Sequence, residues 1–144
     1  WYSENYLASV PAALEHGAFI GSAGDGKIAS ASRQDYAAAA AKVLSLDNQA
    51  GKVYELAGDE AWTLTELAEK LSALTGKSVV YENLSEADFA AALKSVGLPA
   101  GLADMLADSD VGASKGGLFD DSHTLSKLIG RPTTPLAESV KGIL

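Results

Sequence analysis

Cysteine is missing altogether from this chain of 144 residues, so no disulfide, thiolate nucleophile or cysteine zinc site is open to it. Basic residues are scarce. Eleven Lys and Arg face 19 Asp and Glu, a formal charge of −8 that repels phosphate backbones and anionic lipid surfaces, so no nucleic-acid partner is expected. No window approaches the roughly 18 uninterrupted apolar residues of a membrane span, and the start has no basic segment leading into an apolar one, so no membrane partner is expected. The lack of cysteine fits a reducing cytoplasm, which is the expected location. An initiating methionine is absent too: the chain opens Trp1-Tyr2-Ser3-Glu4-Asn5 and reads as the continuation of a longer protein.

What is present belongs to an ordinary globular protein, with 47% apolar and 21% charged residues. Ser3 can cap a first helix whose apolar positions Tyr6, Leu7, Val10, Ala13 and Leu14 recur at helical spacing, with Gly17 as its stop. Ala18–Gly21 and Lys27–Ala31 flank Ala23-Gly24-Asp25-Gly26 and predict a hairpin or loop. Ser32 with Asp35 opens an alanine-rich helix to about Leu46, with Tyr36, Ala40, Val43 and Leu44 as the buried stripe. Val53–Ala57 reads as a buried strand. Thr63 with Glu66 starts a helix through Leu64, Leu67, Ala68, Leu71 and Leu74 to Gly76. Ser78–Tyr81 has strand character, and Ser85 with Asp88 opens a helix carrying Phe89, Leu93 and Val96. Pro99 precedes a short helix around Leu102, Met105 and Leu106. Gly112–Gly117 predicts a mobile loop, and Ser122–Ile129 and Pro135–Leu144 two final short helices.

Chemical motifs are weak. Gly21-Ser22-Ala23-Gly24-Asp25-Gly26-Lys27 has the glycine spacing and lysine of a P-loop, but Ile28 stands where magnesium needs a hydroxyl, and strand follows where a helix should begin. Asp108-Ser109-Asp110-Val111-Gly112 starts like a calcium loop, yet its glycine comes one place early and Phe119 replaces the bidentate glutamate. His16 and His123 have no ligand spacing and read as surface residues, so no metal is expected. Asp120-Asp121 beside Ser122 is helix-start electrostatics. No Gly-x-Ser-x-Gly elbow is present, and no catalytic residue is assigned. The dinucleotide fingerprint Gly-x-Gly-x-x-Gly after a first strand occurs nowhere, so a cofactor of that kind would be gripped by residues outside this chain.

Three segments carry a resemblance: Trp1–Asn5, Lys27–Ala37 and Lys52–Gly58. In that order they resemble the C-terminal half of NmrA-like, atypical short-chain dehydrogenases. Asn83–Phe89, Gly101–Asp108 and Gly130–Thr134 extend the likeness, over essentially the whole chain, to the bacterial NAD(P)H:quinone oxidoreductases of that family. The resemblance implies an α/β fold, the C-terminal portion of a doubly wound NAD(P)-binding Rossmann-type protein plus its small substrate-binding lobe, mostly helical with a few short strands. It assigns residues 1–76 to the dinucleotide-binding fold and residues 77–144 to the lobe.

The implied activity is hydride transfer from NADPH to a quinone, with the cofactor held mainly by the absent upstream half. Trp1, Tyr2 and Asn5 would line the cofactor cleft, although Trp1 and Tyr2 serve equally well to pack the helix start. Phe89, Leu93 and Met105 would line the substrate pocket, although at helical spacing such residues usually form plain core. Val53–Ala57 would be a late strand of the parallel sheet. Deprived of the upstream half, the chain is expected to be inactive, and to self-associate as a homo-oligomer or rearrange its strands. An alternative within the family is a redox sensor that binds NAD(P) without turnover.

Overall fold

The computed structural model describes residues 1–144. Along the chain run α1 (Ser3–Leu7), α2 (Val10–His16), β1 (Ala18–Gly21), α3 (Arg33–Leu44), α4 (Leu64–Thr75), β2 (Val80–Asn83), α5 (Glu86–Ser95), α6 (Ala100–Ser114), α7 (Thr124–Ile129) and α8 (Leu136–Lys141). The architecture is α/β, mostly helical with two short strands. It clusters into a first unit of residues 1–8, 29–61 and 119–144 and a second of residues 9–28 and 62–118.

Helix starts follow the sequence closely. Ser32 Oγ accepts from the Asp35 N–H at 3.1 Å, and Ser85 Oγ from the Asp88 N–H at 3.2 Å. Thr63 and Glu66 close a reciprocal box: the Glu66 N–H donates to Thr63 Oγ1 at 3.1 Å and the Thr63 N–H to Glu66 Oε2 at 2.7 Å. Each bond satisfies an N–H that the first helical turn leaves without a partner. The single helix expected before Gly17 is two, because Pro11 has no N–H to give and is placed in the first turn of a new helix. Ser3, expected as a cap, is the first residue of α1, and its hydroxyl pairs with Ser30 Oγ at 2.8 Å.

In the first unit, Ala31, Ala39 and Leu125 are the buried centre, with Tyr36, Leu56, Leu128 and Ile129 packed around them. Helix α3 therefore turns Asp35 and Ala39 inward, and the expected stripe is displaced: Ala40 and Leu44 face solvent. An alanine-rich helix is nearly equally apolar on every side, so its partners choose the buried face. Val53–Ala57 joins no ladder and leaves Val53 exposed. A strand needs a neighbour for its amides, and within this chain the hold comes just after it, where the Gly58 N–H donates to the Ala29 carbonyl at 2.9 Å. A Cβ on Gly58 would collide with the Ser30 carbonyl, so this close backbone approach requires glycine.

Three carboxylates pin the segment leading into α8. Asp59 accepts the Thr133 N–H at 3.0 Å, Asp35 the Thr134 N–H at 2.7 Å, and Glu60 the Leu136 N–H at 3.0 Å. Asp35 is fully buried, and Arg131 Nη2 stands 2.7 Å from its Oδ1, an ionic contact outside aligned hydrogen-bond geometry. Burial would raise the Asp35 carboxyl, but the Thr134 amide, Arg131 and the Thr134 and Ser32 hydroxyls together hold it below the usual range.

In the second unit, β1 and β2 are parallel, with Ala18 opposite Val80 and Gly21 opposite Asn83. Of the hairpin or loop expected across residues 23–26, it is the loop that forms; the partner of β1 arrives only after a crossover, and α4 packs on both strands. Leu64, Leu67, Ala68 and Leu71 of α4 are buried, while Leu74 lies at the rim. Helices α5 and α6 pack on each other around Phe89, Ala90 and Ala107. Helix α6 is longer than expected, and Gly112 lies inside it instead of opening a mobile loop. The reason is its buried face of small residues, Ala103, Ala107 and Ala113, which lets the helix lie close to its neighbours without large side chains. No helix is long and apolar enough to cross a membrane.

Candidate functional site

The opening segment owes its place to backbone pairing within the first unit. The Ser3 N–H donates to the Ala31 carbonyl at 2.9 Å and the Ala31 N–H to the Trp1 carbonyl at 3.3 Å, which lays residues 1–3 beside residue 31. Trp1, Tyr2 and Asn5 are all exposed, Trp1 38% and Tyr2 43%. The Tyr2 ring meets Tyr36 edge-on at 5.4 Å, and the Arg33 guanidinium lies 5.3 Å from the Tyr2 centroid. Tyr36 donates its hydroxyl proton to the Leu56 carbonyl at 3.1 Å, and burial, then Tyr2, push its pKa up. Arg33 and Tyr36, which the sequence does not single out as site residues, are the residues that touch Tyr2. The capping signal at Ser32 and Asp35 places them on the first turn of α3, but their contact with Tyr2 spans distant sequence.

The glycine-rich loop of the second unit is clamped by side chains. The Ser22 N–H donates to Asp110 Oδ2 at 2.9 Å, the Ala23 N–H to Tyr81 Oη at 3.1 Å and the Gly24 N–H to Asn83 Oδ1 at 2.8 Å. Three successive amides are spent, so the loop has no ring of free donors for a phosphate. Burial raises the Asp110 carboxyl above its usual value against the opposing Ser22 amide, and burial likewise raises Tyr81.

Phe89 and Leu93 come together with Ile20 and Leu84 in the packing between α5 and its neighbours, where Phe89 is 8% exposed. Met105 stands apart from them, half exposed on α6. An open groove of about 410 Å³ nearby is lined by Ser85, Glu86, Ala87, Ala90, Asp104 and Ala107.

Back in the first unit, Asp59, His123 and Ser126 meet beside an open depression of about 460 Å³. The residue types are those of a nucleophilic triad, but the wiring differs. His123 Nδ1 lies 2.8 Å from Asp59 Oδ1, and Ser126 Oγ donates to that same oxygen at 2.7 Å. The serine proton thus points at the carboxylate and not at the imidazole, so no base activates it. Burial would raise the Asp59 carboxyl; Ser126, the Thr133 amide and His123 bring it below its usual value. No group of three His, Asp or Glu side chains converges as a metal would require.

No protein-family model matches the chain. Over 140 residues, 97% of this chain and 49% of the relative, it is 81% identical to quinone oxidoreductase 2 of Escherichia coli K12. The crystal structure of an E. coli NADPH-dependent quinone oxidoreductase complexed with NADPH superposes with a TM-score of 0.97 at 79% identity, covering 99% of this chain and 50% of that one. A Citrobacter sp. triphenylmethane reductase complexed with NADP(H) superposes with a TM-score of 0.93 at 36% identity, over 100% of this chain and 51% of that one. The chain spans about half the length of the curated relatives it matches. The likeness runs over nearly the whole of this chain, which is similar in sequence and fold to the C-terminal half of a quinone oxidoreductase.

Proposed function

We propose that this chain is part of an enzyme that passes a hydride from NADPH to a quinone. The carrying observation is its end-to-end likeness, in sequence and fold, to half of a quinone oxidoreductase. The residues fit one end of the cofactor. The exposed Trp1 and Tyr2 rings and the Asn5 amide suit a flat ring bearing a carboxamide, whereas the loop at residues 22–24 has its amides spent and offers no seat for a pyrophosphate. The phosphates fall to the portion of the relatives that lies outside the match. When bound, the reduced nicotinamide supplies the hydride.

The tasks of this chain are orientation and exclusion of water. Trp1 and Tyr2 line the cleft between nicotinamide and quinone and set the plane in which the two rings meet, and Asn5 presents both a donor and an acceptor to the cofactor's amide. Phe89, Leu93 and Met105 are assigned to the apolar lining of the quinone pocket. No side chain serves as nucleophile, and the proton that completes the hydroquinone comes from water. In the whole protein, residues 1–76 are assigned to the dinucleotide side and residues 77–144 to the substrate lobe, divided at Gly76, where α4 ends. Dependence on NADPH ties the activity to the cytoplasm that regenerates it. Exposed Leu44 and Val53 favour self-association of the chain by itself.

The test is NADPH consumption with 1,4-benzoquinone, by this chain and by the chain joined to the half that its relatives carry ahead of the match. Oxidation by the joined protein alone is expected. Cofactor binding without quinone-dependent oxidation would replace the enzyme with a sensor, and turnover by this chain alone would overturn the division of labour.

A further inference from the structure

We infer that Arg33 makes the Trp1–Tyr2 surface selective for flat conjugated substrates that carry an anionic group, a reading that rests on the proposed placement of Trp1 and Tyr2 at the site. The guanidinium lies 5.3 Å from the Tyr2 ring centroid, close enough for a cation–π contact that holds the charge beside the aromatic surface. Tyr36 meets Tyr2 edge-on and is itself tied by its hydroxyl to the Leu56 carbonyl, so the ring under the guanidinium is fixed in place.

The acid bonded to Arg33 meets its backbone and not its guanidinium. Glu4 spends both carboxylate oxygens on the backbone N–H of Arg33, at 3.0 and 3.2 Å, and thereby anchors the residue at the mouth of α3. The other arginine of the chain shows the contrast: Arg131 is matched to buried Asp35 at 2.7 Å. Arg33 is exposed, rests on an aromatic face, and keeps its planar fork of N–H donors for a carboxylate or sulfonate. Its charge matters more in a chain of net charge −8, which otherwise repels an anionic ligand. A neutral quinone draws on the aromatic surface alone, whereas an anionic one gains the guanidinium as well.

The decisive experiment is binding to this chain, read by quenching of tryptophan emission, with 1,2-naphthoquinone-4-sulfonate and neutral 1,4-naphthoquinone compared for the unaltered chain, Arg33→Met and Arg33→Lys. Thermal midpoints of the variants are measured alongside. For Arg33→Met, affinity for the sulfonate is expected to fall about three- to tenfold, with the neutral quinone unchanged and partial recovery in Arg33→Lys. Equal loss for both ligands, or no loss for either, overturns the inference. In the joined protein, the same substitution should raise KM for the sulfonate and leave KM for NADPH in place. A raised KM for NADPH would assign Arg33 to the cofactor and likewise overturn it. If the joined protein reduces no quinone, the enzyme reading fails, while the binding selectivity is still decided on the chain alone.

Discussion

Asp110 shows how one residue can look functional in sequence and prove structural. In the sequence it belongs to an aborted calcium loop; in the fold it is a nearly buried acceptor for the Ser22 amide. Its pKa is raised, mainly by burial, so the ionised form is the less welcome one. The stabilising contribution is present below the unfolded value of about 3.9 and is lost as pH rises through the raised folded value. Asp110→Asn keeps an acceptor for Ser22 and removes the buried charge, so at neutral pH urea unfolding should show equal or greater stability. Asp110→Ala leaves the Ser22 N–H stranded and should cost about 1–3 kcal/mol in the same measurement. A loss in Asp110→Asn as large as in Asp110→Ala would show that the charge itself is needed.

At the scale of elements, capping signals were legible because their causes are local. Ser32 with Asp35, Thr63 with Glu66 and Ser85 with Asp88 each bond within a single turn, and each helix begins where the sequence says it should. Which face a helix buries was less legible when that face is alanine. Helix α6 hides Ala103 and Ala107 while leaving Leu102 and Met105 half exposed, against the ordinary hydrophobic ranking. Close approach explains the choice, since Ala107 packs with Phe89 and Ala90 and its carbonyl accepts the Ser22 hydroxyl at 3.3 Å. Ala107→Leu should therefore destabilise by overpacking, about 1–3 kcal/mol in urea unfolding, whereas Met105→Leu at the surface should be near neutral. An unchanged midpoint for Ala107→Leu would mean that the α5–α6 contact is looser than described.

At the scale of the whole molecule, acid is the predicted weak point. Asp35 and Asp59 both titrate below their usual range and both hold backbone amides of the segment entering α8. With folded values depressed, their stabilisation is complete above the unfolded pKa of about 3.9 and is lost as pH falls through the folded values. Urea midpoints should therefore drop between neutral pH and about pH 3, and Asp35→Asn should flatten that drop. The same slope in Asp35→Asn as in the unaltered chain would remove Asp35 from this role.

The sequence by itself determined most helix starts and stops, the lack of cysteine, the absence of a dinucleotide fingerprint from these residues and, through resemblance, the likeness to quinone oxidoreductases. These depend on residue types or on bonds spanning three or four positions. Tertiary structure alone decided that Ala18–Gly21 pairs in parallel with Val80–Asn83, that Val53–Ala57 joins no ladder, and that Arg33 comes to rest on Tyr2. Each of those depends on a neighbour tens of residues away, and strand pairing and stacking have no signature in the residues of one segment.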